Sequence, residues 1–276
     1  MSYKMIVLDL DGTLMSSKNE ILPKTKEALF KAQENGVMIV LASGRPTYGM
    51  INAAKELRLD KYPGYILSYN GGRIISVQTD ELIYDKSLTP QICHELYDLA
   101  REMNVNIMAY EDEAIITEDD DEYIRKEGHI NNMPLNRVEK FKDSVTFNSV
   151  KCLCTGEPEY LADVEVKFKE RLGDRLSVMR SMPFFLEIMP QNINKAYSLQ
   201  KLLDHVGLDK SQLIACGDGY NDLPMIEFAG LGVAMGNAVD EVKAVANYVT
   251  ATNDEDGIAQ VIEKFILNNS TFSVEK

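Results

Sequence analysis

Three polar clusters in this 276-residue chain have the composition of reactive sites. They are Asp9-Leu10-Asp11-Gly12-Thr13, Ser43-Gly44-Arg45 and Gly217-Asp218-Gly219-Tyr220-Asn221-Asp222. Brought together, Asp9, Asp11, Asp218 and Asp222 would repel one another and raise each other's pKa values. Something positive must sit among them. Oxygen donors without a neighbouring His or Cys favour a hard divalent ion, above all Mg2+. Lys195 would add a second positive charge. Ser43 and the amides of Ser43 and Gly44, at the start of a strand-to-helix turn, suit an anion. Carboxylates, a dication, a lysine and an amide nest describe a phosphate site, and phosphoryl transfer needs charge neutralisation and alignment above all. No Cys-His or Ser-His arrangement lies near, so the natural nucleophile is a carboxylate, acting through an aspartyl-phosphate.

The elements that must position these groups are legible as apolar runs. Met5–Leu8, Val37–Leu41, Tyr65–Leu67 and Leu213–Cys216 are continuous rather than alternating, as strands covered on both faces require. Helical patterns over Pro23–Asn35, Thr47–Leu57 and Asn194–Val206 separate them, with Gly36 and Gly207 as stops. This is the rhythm of an α/β fold with a doubly wound, mostly parallel sheet. In such a sheet every strand C-terminus lies on one edge, and ligands bind outside that edge. Residues two hundred positions apart therefore converge. From 86 to 188 the rhythm changes to helices near Gln91–Met103 and Pro158–Leu172 among short alternating strands. That segment is expected to be an inserted α+β module with an antiparallel sheet, and residues 1–85 with 189–276 to form the core. The crossings fall near Tyr84–Pro90 and Met189–Asn194.

Composition narrows the classes. Lys+Arg is 29 and Asp+Glu is 43, a formal charge of -14. That argues against a nucleic-acid partner, which demands a basic surface. No apolar run approaches the roughly 18 residues that cross a bilayer. The N-terminus lacks a small-residue cleavage signal, and four scattered cysteines suit reduced thiols in a cytoplasmic protein. The run Glu118-Asp119-Asp120-Asp121-Glu122 reads as a solvated face. The tail after Asn268 is expected to fray. His94, His129 and His205 match no metal motif, and Cys152 and Cys154 have strand alternation rather than zinc spacing.

Asp9-Leu10-Asp11-Gly12-Thr13-Leu14, Ser43-Gly44-Arg45, Lys195 and Gly217-Asp218-Gly219-Tyr220-Asn221-Asp222 resemble, in order, the four motifs of the haloacid-dehalogenase-like (HAD) phosphatases. The likeness extends to Asn70-Gly71 and Ala234–Ala238. The insertion between the second and third motifs is similar to the type IIB cap of the Cof-type sugar-phosphate phosphatases. The resemblance implies a HAD-like Rossmannoid core and an inserted α+β cap domain over 86–188 that acts as a lid. It implies that Asp9 attacks phosphorus and ligates Mg2+, and that Asp11 protonates the leaving group, then activates water. The backbone of Leu10, Ser43, Gly44 and Lys195, with Asn221, would hold the phosphoryl oxygens. Asp218 and the Asp11 carbonyl would complete the metal site, supported by Thr13 and by Asp222, which would orient Lys195 or a metal-bound water. Arg45, Asn70 and Arg180 are candidates for touching substrate. Ala196 stands where the subfamily usually has glycine, a change that a helix start tolerates. The implied activity is Mg2+-dependent hydrolysis of a small phosphorylated metabolite. A phosphomutase and a non-catalytic sugar-phosphate sensor are the alternatives on the same scaffold. Neither the substrate nor the oligomeric state follows from the sequence.

Overall fold

The computed structural model describes residues 3–111 and 113–268, so the tail after Asn268 lies outside the described residues. In chain order the strands are β1 (Met5–Asp9), β2 (Met38–Ala42), β3 (Gly64–Ser68), β4 (Arg73–Ser76), β5 (Leu82–Asp85), β6 (Asn106–Tyr110), β7 (Ile115–Thr117), β8 (Leu135–Arg137), β9 (Cys152–Thr155), β10 (Leu176–Met182), β11 (Phe185–Pro190), β12 (Leu213–Gly217), β13 (Leu231–Ala234) and β14 (Tyr248–Val249). The α-helices are α1 (Pro23–Glu34), α2 (Ile51–Glu56), α3 (Pro90–Glu102), α4 (Glu122–Asn131), α5 (Phe141–Ser144), α6 (Pro158–Leu172), α7 (Lys195–Val206), α8 (Leu223–Phe228), α9 (Asp240–Val245) and α10 (Gly257–Ile262). The chain divides into two units. One holds Met1–Gly44, Met50–Tyr84 and Asn194–Lys276; the other holds Arg45–Gly49 and Asp85–Ile193.

The first unit is built on a sheet of order β14-β13-β12-β1-β2-β3-β4-β5. Pairing is parallel from β14 through to β3, and β4 turns back antiparallel. β1 and β12 are buried along their whole length, as continuous apolar runs between two helical layers should be. The register pairs Asp9 with Ala42 and Gly217 with Ala234, so β1, β2, β12 and β13 end level with one another. The helix expected over Thr47–Leu57 is shorter. A 3-10 turn, Tyr48–Met50, precedes α2, with Gly49 N–H bonded to the carbonyl of Pro46.

The second unit has a sheet of order β10-β11-β9-β6-β7-β8. Its pairs are antiparallel except β7 with β8. That exception corrects the antiparallel expectation. Parallel neighbours need a crossover, and α4 supplies one between β7 and β8. Cys93, Leu96 and Ala100 of α3 and Leu161, Val164 and Phe168 of α6 share a core with Cys152 and Cys154 of β9.

The acidic run at 118–122 is not simply a solvated face. Arg101 donates to both Asp119 oxygens at 3.0 and 2.8 Å, and Tyr97 donates to Glu118 at 2.7 Å. Asp121 caps α4 by accepting from Ile124 N–H at 2.6 Å, and it also accepts from Asn106 and Thr155. Partners twenty residues away had no local signature. His94 is likewise engaged, its Nε2 lying 2.9 Å from the Val145 carbonyl.

A buried ion cluster sits in the same unit. Lys151 is 3% exposed, with Nζ 2.9 Å from Glu187 and 3.9 Å from Glu127. Burial alone would depress its pKa, but the two carboxylates outweigh burial and hold it above the ordinary lysine value. Its contribution to stability is therefore complete below the ordinary lysine pKa and is lost only as pH rises through the elevated one. Lys151→Met leaves the buried Glu127 and the partly buried Glu187 without a counter-charge. The expected loss is about 3–5 kcal/mol, growing as pH rises from 5 to 8 because the carboxyls must then ionise unpaired. Urea unfolding at both pH values measures it; equal stability to the parent at pH 8 would refute it.

Candidate active site

Each acidic loop begins where a parallel strand ends, and the chain then turns sharply. Leu14 N–H returns to the Asp9 carbonyl at 3.1 Å and Met15 N–H to the Leu10 carbonyl at 2.9 Å. This fold-back buries Leu10 and leaves Asp11 exposed. Gly12 sits at φ 81°, and a Cβ there would stand 2.4 Å from Asp218 Oδ2. Only glycine permits both the left-handed turn and that approach. Gly12→Ala is expected to displace Asp218 and to destabilise by about 1–2 kcal/mol from the backbone alone. An unchanged thermal midpoint would count against this.

The centre of the site is Lys195, the first residue of α7 and wholly buried. Its Nζ donates to Asp9 Oδ1 at 2.6 Å, Asp222 Oδ1 at 2.6 Å and the Ala42 carbonyl at 3.0 Å. All three ammonium protons are thereby placed. Asn194 caps the helix, accepting from Tyr197 N–H at 2.8 Å, and so sets where the lysine enters. Asp222 Oδ2 accepts the N–H groups of Asp218 and Gly219 at 2.9 and 3.0 Å. With both oxygens occupied, Asp222 orients Lys195 and the Asp218 loop. Thr13 Oγ1 donates to Asp218 Oδ1 at 2.7 Å, tying the first acidic loop to the last.

The electrostatics follow from burial. Loss of solvent pushes Asp9 upward, Lys195 opposes, and Asp222 and Asp218 add repulsion, leaving its pKa raised to about 8. Asp218 is also raised, mainly by burial, with the Thr13 hydrogen bond opposing. Burial would lower Lys195, but Asp9 and Asp222 reverse that and raise it. Oxygens of Asp9, Asp218 and Asp222 lie within 4.8 Å of one another. An oxygen-only, acid-rich donor set of this kind fits a hard divalent cation, whose charge would draw Asp9 and Asp218 back to the ionised form. Because Asp222 is bonded on both oxygens, Asp9 and Asp218 are the side chains suited to hold the ion.

The remaining candidates fall into two groups. Ser43 and Gly44 follow β2, but the Ser43 N–H donates to the Leu67 carbonyl at 3.0 Å. The expectation that this amide meets phosphate is corrected: its hydroxyl is the group suited to that role. Asn221 Nδ2 donates to Asn70 Oδ1 at 3.0 Å, so those two join the cluster. Arg45 and Arg180 belong to the second unit, where Arg180 Nε donates to Glu165 at 2.8 Å. Asn237, which the sequence placed in the Ala234–Ala238 motif without a role, donates to the Gly12 carbonyl at 2.8 Å and accepts from Asn253 N–H at 3.0 Å. Its place in the turn after β13, on the same sheet edge, was the available signal.

Known proteins match nearly the whole of this chain. A haloacid dehalogenase-like hydrolase from Bacteroides thetaiotaomicron superposes with a TM-score of 0.91 at 47% identity, covering 95% of this chain and 99% of that one. The HAD subclass IIB sugar phosphatase BT4131 superposes with a TM-score of 0.75 at 26% identity, covering 95% and 98%. The 5-amino-6-(5-phospho-D-ribitylamino)uracil phosphatase YitU of Bacillus subtilis is 31% identical over 272 residues, covering 95% of this chain and 97% of its own. Fold, site and relatives together define a phosphoric monoester hydrolase. The family model of the haloacid dehalogenase-like hydrolases matches residues 6–262, and the chain belongs to that family. No helix among the described residues is long and apolar enough to cross a membrane.

Proposed function

We propose that this phosphatase hydrolyses a small sugar phosphate through an aspartyl-phosphate on Asp9, with Mg2+ held by Asp9, Asp218 and the Asp11 carbonyl. The observation that carries the reading is the buried Lys195, bonded at once to Asp9 and Asp222 beside Asp218. A carboxylate at the end of a buried strand, with one oxygen pinned by an ammonium, is oriented to attack with the other. A bound dication supplies charge that offsets the phosphoryl oxygens. Lys195 holds Asp9 in place and supplies a fixed positive charge beside the attacked group. Asp11, exposed at the rim, is placed to give a proton to the leaving oxygen and then to take one from water. The Ser43 hydroxyl, the amides of Leu10, Gly44 and Lys195, and the Asn221 amide would receive the phosphoryl oxygens. Leaving-group preference is assigned to the segment 86–188.

The test is orthophosphate release from a panel of sugar phosphates, nucleotides and cofactor phosphates. Release is expected with Mg2+, to vanish with EDTA and to return on readdition of the metal. Turnover indifferent to EDTA would overturn the metal assignment. Phosphoryl transfer between sugar positions without orthophosphate release would show a mutase instead.

A further inference from the structure

Three consecutive residues at the end of β3 have left-handed backbones: Tyr69 at φ 53°, Asn70 at 55° and Gly71 at 102°. Asn and Gly enter this region readily, but a run of three that starts on a buried tyrosine persists only where its surroundings over-determine it. Those surroundings are specific. The Asn70 N–H donates to the Ser43 carbonyl at 2.9 Å. The Gly71 carbonyl accepts from Ser198 Oγ at 2.5 Å, and a Cβ on Gly71 would stand 2.8 Å from the Asn194 carbonyl. The Asn70 side chain reaches the other way. Its Oδ1 accepts from Asn221 Nδ2 at 3.0 Å, and its Nδ2 would be 3.1 Å from a Cβ on Gly44. One turn within a single unit thus braces the loop at 43–44, the loop at Asn221 and the first turn of the helix that carries Lys195.

From this we infer that Asn70 is a positioning residue for the phosphate cradle. By accepting one N–H of the Asn221 amide, it fixes the plane of that amide and aims the second N–H. Its own Nδ2 stays over Gly44. An exposed asparagine amide otherwise turns over a broad two-fold range, so without Asn70 the Asn221 donor would have no set direction. The inference rests on the reading that Asn221 and Gly44 hold the phosphoryl group.

The variants are Asn70→Gly, Asn221→Ala and both together. Glycine keeps the positive φ and removes only the amide. With p-nitrophenyl phosphate and Mg2+, Asn70→Gly is expected to lose about 10- to 100-fold in kcat/KM, as a displaced positioning group does. The inhibition constant of orthophosphate should rise, and the melting temperature should stay with the parent. The double variant should be no slower than Asn221→Ala, since the two amides act as one unit. Parental kcat/KM in Asn70→Gly, or losses that multiply in the double variant, would overturn the inference. Should Asn70→Gly not fold, Asn70→Ser, whose hydroxyl stops one bond short of the Oδ1 position, removes the same acceptor; it should raise the orthophosphate inhibition constant, and unchanged inhibition would refute the role. Titration calorimetry with orthophosphate makes the same comparison without turnover. An inactive parent would therefore sink the phosphatase reading, while calorimetry still decides Asn70.

Discussion

Asp9→Asn is expected to lower phosphate release by about 10^4-fold or more, the scale on which removal of a covalent nucleophile is felt. The geometry makes this substitution a clean chemical test. Asp9 is 5% exposed, at the end of a buried strand, and Lys195 holds one of its oxygens at 2.6 Å. Asparagine keeps the shape and a carbonyl that accepts from the ammonium, but its amide cannot form the phosphoryl ester. Folding should be spared. Asparagine has nearly the same shape and brings no unpaired charge into the buried site, and Lys195 keeps Asp222 and the Ala42 carbonyl as partners. The measurement pairs p-nitrophenyl phosphate turnover with urea unfolding. A variant retaining more than a hundredth of parental kcat would remove Asp9 from the chemistry.

Lys195→Met is expected to abolish turnover and also to destabilise the fold by about 3–5 kcal/mol, the cost of breaking a buried charge cluster from one side. Methionine keeps most of the lysine's apolar stem, so the loss is electrostatic rather than a cavity effect. Asp9 and Asp222 would then face each other with Asp218 nearby and no ammonium between them. The pH dependence carries a definite sign. In the parent, the raised lysine pKa means this contribution is complete below the ordinary lysine value and is lost only as pH climbs through the elevated one. In the variant, the carboxyls resist ionisation more strongly. Stability should therefore fall with rising pH between about 5 and 8, more steeply than in the parent. Adding Asp9→Asn should return part of the loss, because one of the two uncompensated acids is then gone. A flat pH profile, or a double variant less stable than Lys195→Met alone, would contradict the cluster as described.

Much of the first unit was legible because its signals are local. Met5–Leu8 and Leu213–Cys216 are continuous apolar runs, and they became β1 and β12, paired side by side and buried throughout. Asn194–Val206 was readable as α7, with Asn194 as its cap and Gly207 after its end. The edge rule for parallel sheets then placed Asp9 and Asp218 together without any coordinate. The second unit was harder. α4 and β8 carry no strong period, and strand β8 is exposed throughout, so neither stood out until the crossover between β7 and β8 was seen. The acidic run at 118–122 misled for a related reason. Its charges are answered by Arg101 and Tyr97, and Asp121 closes a helix whose start the sequence only weakly marks.

By itself, then, the chain's sequence determined which groups could meet and what chemistry they could support. Residue type and the order of apolar runs set the fold class, the edge of the sheet and the oxygen-only character of the site. The tertiary structure decided the tasks within that site. It gave both Asp222 oxygens to Lys195 and the loop amides, turned the Ser43 amide toward Leu67, and linked Asn70 to Asn221. Those assignments rest on hydrogen bonds of 2.6–3.0 Å between residues up to 151 positions apart. Such contacts depend on the directions of side chains across several elements, which no local pattern encodes.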